Sequence, residues 1–167
     1  ATGWRHLWDT VLRRALFSLP FFPTWIKQFK ALVYFIRDRN NLATTCENFR
    51  SGSLNGLAEI LEKSHLENFA NWRWCTLDNL CREVDGYLRS FLVNFDPRPF
   101  ANVAETENKA RLTLVLEACT SNVFLCQFDV VTWVCSWVCD ILRFAGACEC
   151  HMAEFLRNEP VDCMFKG

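Results

Sequence analysis

The stretch VFLCQFDVVTWVCSWVCDILRF, residues 123–144, is the most apolar run of the chain and decides its fold class. Its apolar side chains recur at helical spacing and form one broad face: Phe124, Phe128, Val131, Cys135, Val138 and Leu142. A membrane span needs about 20 residues with few or no charges, and a carboxylate at mid-bilayer costs about 3 kcal/mol. Because Gln127, Asp129 and Asp140 fall within the run, we expect the central buried helix of a bundle and no transmembrane span.

The segments before this run repeat the helical pattern. We expect helices at residues 4–16, 23–39, 40–49, 54–65, 76–92 and 105–119. The first has the apolar stripe Trp4, Leu7, Trp8, Val11, Leu12, Ala15 and Leu16. No segment alternates apolar and polar residues as a strand does, and 6 Gly and 5 Pro are too few for an all-β fold. The sequence predicts an all-α fold, an irregular multi-helix bundle of about six or seven helices within a single helical domain, residues 1–167.

Charge is unevenly distributed along the chain, although the net charge is only −1. Residues 1–40 hold seven Lys/Arg against two Asp/Glu, which leaves 11 against 17 for the remainder. The chain therefore divides into a basic amphipathic helix pair, 1–40, and an acidic helical body, 41–167. A basic, aromatic pair suits phosphate backbones or anionic membranes, while the alternative is a solvated face that balances the acidic body. Since the sequence runs from Ala1 to Gly167 without a tail, we expect a fragment of a larger protein.

The 10 cysteines indicate free thiols in a reducing, intracellular compartment. Cys81, Cys119, Cys126 and Cys135 fall on apolar helix faces, where a thiol behaves as a small hydrophobic group. No secretory signal is visible, because Arg13 and Arg14 interrupt the apolar N-terminal stretch.

One cluster has the composition of a metal site. Zinc takes four tetrahedral nitrogen or sulfur ligands, and a Cys3His set is available. Its members would be Cys148, Cys150, His151 and Cys163. The alternatives are free thiols, as elsewhere in the chain, or a disulfide. No cofactor is certain, and zinc is the one candidate.

Trp72-Arg73-Trp74 has the composition of a stacking platform for nucleic-acid bases. The exposed side of the second helix adds the cations Lys27, Lys30 and Arg37. The alternative is that Trp74 anchors a helix in the core.

No glycine-rich phosphate loop is present, and Asp129 and Asp140 lie about 16 Å apart on one helix, too far to share a metal pair. We therefore expect no enzymatic activity.

Two motifs carry a family resemblance that covers roughly residues 30–167. The run Phe69-Ala70-Asn71-Trp72-Arg73-Trp74-Cys75-Thr76-Leu77 resembles the RW-x-T/S-L segment of hAT-superfamily transposases. That segment opens a helical domain inserted into an RNase H-like core. Cys148-Glu149-Cys150-His151 followed by Cys163-Met164-Phe165-Lys166-Gly167 is similar to a C-x-C-H … C-x-x-K-G pattern of transposase-derived proteins of protists.

The resemblance implies a nuclear helical fragment in which Arg73 and Trp74 lie near a DNA end. The chain departs from the family in having no strand-borne Asp pair and no downstream Glu, so the resemblance implies no independent cleavage. The family's C-x-x-H motif precedes the Arg-Trp segment, whereas Cys148 and His151 follow it, and that role is not transferred.

Three hypotheses follow. The first is a non-catalytic helical fragment of a transposase-derived protein that contributes DNA-end contacts or protein packing. The second is a zinc-stabilised helical protein-interaction module. The third is a peripheral membrane-binding bundle that uses Trp4, Trp8 and Trp25.

Overall fold

The computed structural model describes residues 3–69, 73–102 and 106–158, with side chains described within 6–69, 73–102 and 107–144. These residues form eight α-helices, a single turn of 3-10 helix at Arg98–Phe100 and no strand, which confirms the all-α class. The helices are α1 (Gly3–Phe17), α2 (Phe22–Arg37), α3 (Arg39–Ser51), α4 (Asn55–Lys63), α5 (Trp74–Asp85), α6 (Leu88–Asn94), α7 (Thr106–Thr120) and α8 (Phe124–Asn158).

Helix ends follow the local chemistry of the sequence. Pro23 occupies the first turn of α2, where its missing N–H leaves no hydrogen bond unmade. Asp38 caps α3, because its carboxylate Oδ1 accepts hydrogen bonds from the backbone N–H groups of Asn40 and Asn41, each at 3.0 Å.

The helix count exceeds the predicted six or seven because the helix expected over residues 76–92 is divided. Gly86 ends α5, since glycine is about 1 kcal/mol less favourable than alanine inside a helix. Tyr87 then leaves helical geometry at φ −136° and ψ −8°. Its ring is buried and its hydroxyl lies 3.0 Å from Ser64 Oγ, so the break places an aromatic ring in the core.

Helix α2, rather than α8, is the most thoroughly buried helix of the described structure. The indole of Trp25 stacks on Phe29 with ring centroids 4.9 Å apart, and it meets Phe22 and Phe124 at 5.9 Å each. Because Phe124 opens α8, these rings join the second and the last described helices in one core. α2 also packs against α7 and α3, and α8 packs against α5 and α1.

One expectation about burial needs correction, and the burial of α1 is now defined. The six side chains predicted as the core face of residues 123–144 are all buried, but the opposite side of this described part of α8 is open to solvent. Among the described side chains of α1, Leu16 is the one that is buried, while Leu7, Trp8 and Val11 are about half exposed. An amphipathic pattern identifies the apolar side of a helix but not how much of that side neighbouring helices cover.

Candidate functional site

A second apolar stripe runs along the solvent side of α8. Steps of four and three residues alternate through its positions: Cys126, Val130, Trp133, Trp137, Asp140 and Phe144. This spacing keeps side chains on one line of a helix and is typical of helix–helix seams. Trp133 is 71% exposed, Trp137 54% and Phe144 72%. We call these six positions the outer stripe, and with a rise of 1.5 Å per residue they extend over about 27 Å.

The outer stripe is large for an unpartnered surface. If a full aromatic side chain offers about 200 Å², its three rings together expose on the order of 400 Å². The largest apolar patch on a typical monomer is about 300–600 Å² and often has a function. The stripe is therefore a candidate interaction surface.

Charged and polar side chains border the outer stripe on the side that faces α5 and α6. Asp129, Ser136 and Arg143 are spaced seven residues apart along this border. Asp129 accepts a hydrogen bond from Arg89 Nη2 at 2.9 Å, and Ser136 Oγ accepts one from Arg82 Nη2 at 3.2 Å. Arg143 Nη1 donates to Asp140 Oδ1 at 3.0 Å. The border thus carries both signs of charge, each already paired within the chain.

A buried carboxylate anchors α8 to α5 beneath this border. Asp78 is fully buried, and its Oδ2 accepts a hydrogen bond from Arg82 Nε at 3.1 Å, with Arg143 Nη2 at 4.0 Å. Its Oδ1 has no hydrogen-bond partner. The two cations keep the buried charge compensated, as a buried carboxylate requires.

Several cysteine thiols lie in the interface between α5 and α8. The sulfurs of Cys75 and Cys139 lie 3.9 Å apart across α5 and α8. Burial raises the pKa of Cys81 to about 12 and that of Cys139 to about 12, and it also raises the pKa of Cys135. These groups are protonated at neutral pH and pack as small apolar side chains. The seven cysteines with described side chains are all free thiols, and Cys126 in the outer stripe is exposed.

The residues predicted to bind nucleic acid differ in their exposure to solvent. Lys27, Lys30 and Arg37 are exposed on α2, and Arg73 is exposed just before α5. Trp74 is 1% exposed and its Nε1 donates to the carbonyl of Asp9 at 3.4 Å, so its ring is part of the core and is not presented to a base. Trp72 lies outside the described residues. DNA binding by this set stays a prediction.

The predicted zinc ligands fall largely beyond the described side chains. The backbones of Cys148, Cys150 and His151 belong to α8, whereas Cys163 lies outside the described residues. Among the side chains that are described, no group of three His, Cys, Asp or Glu is placed to hold a metal. Zinc binding stays a prediction.

Apart from the outer stripe, the fold has a shallow cleft. It has a volume of about 370 Å³, is lined by α2, α3, α4 and the segment after α4, and contains His65 and Glu67. The backbone N–H of His65 donates to Glu83 Oε1 at 3.2 Å in a neighbouring cleft. Both clefts are open to solvent.

Within the described residues, one segment is apolar and long enough to cross a bilayer on those two criteria alone. This segment is Phe124–Phe144, and 33% of it is buried inside the fold. A single helix of this kind is weak support for a span, because the core helix of a bundle has the same composition.

Comparison of the chain with protein-family models, with curated proteins and with solved structures finds no match. The resemblance to hAT transposases therefore stays a prediction. The outer stripe was not among the site residues predicted from sequence, although the alternating spacing of Val130, Trp133 and Trp137 was a readable signal.

Proposed function

We propose that this chain is a non-catalytic helical packing module that docks on another polypeptide through the outer stripe of α8. The exposure of Trp133, Trp137 and Phe144 on one line of a helix is the observation that carries the proposal. Tryptophan is enriched among the residues that dominate binding energy at protein interfaces. The inner face of α8 is buried against the bundle, so the stripe is held rigid and loses little conformational entropy on binding.

The border of the stripe favours a protein over a lipid surface. Amphipathic helices that lie on anionic membranes carry mainly Lys and Arg beside their apolar face. Here the flanking groups are Asp129 and Arg143, and Asp140 interrupts the stripe itself. Trp25, which the membrane hypothesis used as an anchor, is stacked in the core.

Photo-crosslinking tests the docking proposal. A benzophenone amino acid at position 133 is expected to crosslink to a polypeptide, and Trp137→Glu in the same chain should suppress that product. The matched control is position 93 on α6, where Val93 is 82% exposed but lies off the stripe. Equal crosslinking from both positions would argue against a specific docking face. Flotation with anionic vesicles that Trp137→Glu abolishes would assign the stripe to lipid instead.

Weak contact with duplex DNA is a second candidate. It is favoured by Lys27, Lys30 and Arg37, which are all exposed along α2. Each neutralised phosphate contributes about −0.9 to the slope of log affinity against log salt, so three contacts predict a slope near −3. Fluorescence anisotropy with a labelled duplex measures it, and Lys27→Glu with Lys30→Glu should abolish binding while Lys63→Glu on α4 should not. Salt-independent binding, or none at low salt, would remove this candidate.

The hAT ancestry and the zinc site are separate proposals with separate tests. An RNase H-like core with Asp, Asp and Glu, encoded on either side of these 167 residues, would support a transposase-derived, nuclear packing role. One zinc per chain by elemental analysis, with a lower melting temperature after chelation, would support the zinc-stabilised interaction module. Failure to retain metal after purification without chelator would remove the zinc alternative.

A further inference from the structure

The outer stripe is complementary to itself when two copies run in opposite directions. We propose that its partner is a second copy of this chain, packed antiparallel along α8 to form a symmetric homodimer. This inference rests on the proposed docking function and names the occupant of the docking face.

Antiparallel pairing places the bulky positions of the stripe together. With the two-fold axis near Ser136, Trp133 lies opposite the partner's Trp137, and the same contact repeats on the other side of the axis. Cys126 then meets the partner's Phe144 at each end, and Val130 meets the partner's Asp140. Layers of this kind are the usual packing of antiparallel helices whose apolar positions alternate by three and four.

The charges of the border select this orientation. Antiparallel pairing sets Asp129 opposite the partner's Arg143 twice, and the small side chain of Ser136 lies opposite its own copy at the axis. Asp140 keeps its bond to Arg143 at 3.0 Å while facing an apolar residue. Parallel pairing would instead place Asp140 against the partner's Asp140 inside the seam, which like-charge repulsion disfavours.

The available area predicts a weak, reversible dimer. Two copies would bury on the order of 800 Å² from their aromatic rings alone. Val130, Cys126 and the aliphatic parts of the border bring the total to roughly 1,000 Å², which is the lower end for a specific interface. Association in the micromolar range is therefore expected.

Sedimentation of the full chain under reducing conditions, from about 1 to about 300 µM, tests the dimer directly. A monomer–dimer equilibrium is expected, and Trp137→Glu should abolish it. Val93→Glu is the matched control, because Val93 is 82% exposed on α6 and should leave the equilibrium unchanged. Thermal melting by circular dichroism checks that both variants keep the fold. A chain that stays monomeric throughout the range overturns the proposal.

Exchanging the charges of Asp129 and Arg143 tests the register, which is the set of residues that lie opposite each other in the two copies. Asp129→Arg and Arg143→Glu should each weaken dimerisation about tenfold, and the double variant should recover most of the loss. Inside one chain the double variant is unfavourable, since Arg89 would then face an arginine, and both Asp140 and the buried Asp78 would face a glutamate. Thermal melting checks that each variant keeps the fold. Recovery of dimerisation in the double variant therefore reports a contact between the two copies. If the double variant shows no recovery, the proposed register is wrong.

Thiol crosslinking tests the direction. In the antiparallel dimer the two Cys126 side chains lie about 27 Å apart, too far to form a disulfide. Phe144→Cys would place a thiol opposite the partner's Cys126, and mild oxidation should link the two copies through these positions. A Cys126–Cys126 linkage in the unaltered chain would show parallel pairing and overturn the proposal.

The dimer and the docking function fail in different ways. A monomer that still crosslinks from position 133 to a different polypeptide refutes the homodimer and keeps the docking function. A monomer that gives no stripe-dependent crosslink, and that floats with vesicles, refutes both.

Discussion

Trp25 shows how much one side chain contributes to this fold, because its indole contacts rings from both α2 and α8. Trp25→Ala is expected to lower the free energy of unfolding by about 3–5 kcal/mol. Trp133→Ala, at a 71% exposed tryptophan, is the matched control and should change the stability of the monomer by less than about 0.5 kcal/mol. Urea unfolding of dilute protein measures both, and equal losses would contradict the burial of Trp25.

The indole nitrogen of Trp25 leads to a separate prediction for the substitution Trp25→Phe. Trp25 Nε1 is buried without a hydrogen-bond partner. Trp25→Phe keeps an aromatic ring and removes the unpaired donor, which carries its own desolvation cost. We therefore expect Trp25→Phe to cost clearly less than Trp25→Ala in the same urea experiment, and a comparable loss would show that ring size governs this site.

Thiol reactivity should separate the cysteines according to burial. Cys126 is exposed, whereas burial raises the pKa of Cys81 to about 12 and leaves almost no thiolate at neutral pH. Because the thiolate is the reactive form, iodoacetamide should modify native Cys126 at least about a hundredfold faster than Cys81. Peptide mass spectrometry over a time course measures this ratio, and it should collapse to near one in urea. Similar native rates would show that the α5–α8 interface opens readily.

At the scale of single helices, the cap of α3 is the clearest local determinant. Asp38→Ala removes the acceptor for two backbone N–H groups and is expected to cost about 1 kcal/mol, measured by chemical denaturation. Asp38→Asn retains a capping oxygen and should recover most of that loss. If both variants lose the same stability, the negative charge rather than the hydrogen bonds accounts for the effect.

The break between α5 and α6 allows a stabilising substitution. Gly86 has φ −62° and ψ −21°, which alanine adopts without strain, and an added Cβ would meet no atom within 4 Å. Gly86→Ala should raise the free energy of unfolding by about 0.4–1 kcal/mol by restricting the unfolded chain. Thermal unfolding checks this expectation. A loss of stability would mean that the break needs glycine in some way its backbone angles do not reveal.

Sequence periodicity predicted the positions of the helices better than it predicted which helix faces are exposed to solvent. Helical spacing placed α2, α3, α4, α7 and the start of α8 correctly, and it identified the buried face of α8 from Phe124 to Leu142. It did not reveal that Trp133 and Trp137 are exposed, because α8 is apolar on two sides and only its neighbours decide which side is covered. The same reason explains α1, where the packing of Leu16 leaves Trp8 half exposed.

For the whole molecule, buried acids with raised pKa values predict instability in alkali. Burial raises the pKa of Cys81 from 9.0 to about 12 and that of Tyr87 from 10.0 to about 12. Their unfolded forms ionise first, so the stabilisation is fully present below about pH 9 and is lost as pH rises towards 12. For Cys81 alone the loss is on the order of 4 kcal/mol at pH 12.

Denaturant titrations under reducing conditions between pH 7 and 12 measure this effect. Cys81→Ala should flatten the dependence, while Cys126→Ala, at an exposed thiol, should not. A stability that is constant up to pH 11 would contradict the burial of both ionisable groups.

The stack of Trp25 on Phe124 also has a consequence for how the protein is made. A ribosome synthesises α2 early, and Phe124, whose ring stacks on Trp25, is added only after α3 to α7 have been translated. At about 5–20 residues per second, the intervening stretch takes roughly 5–20 s to synthesise. During that interval the nascent chain carries uncovered aromatic surface, so we expect it to engage chaperones at the exit tunnel until α8 emerges and folding can finish.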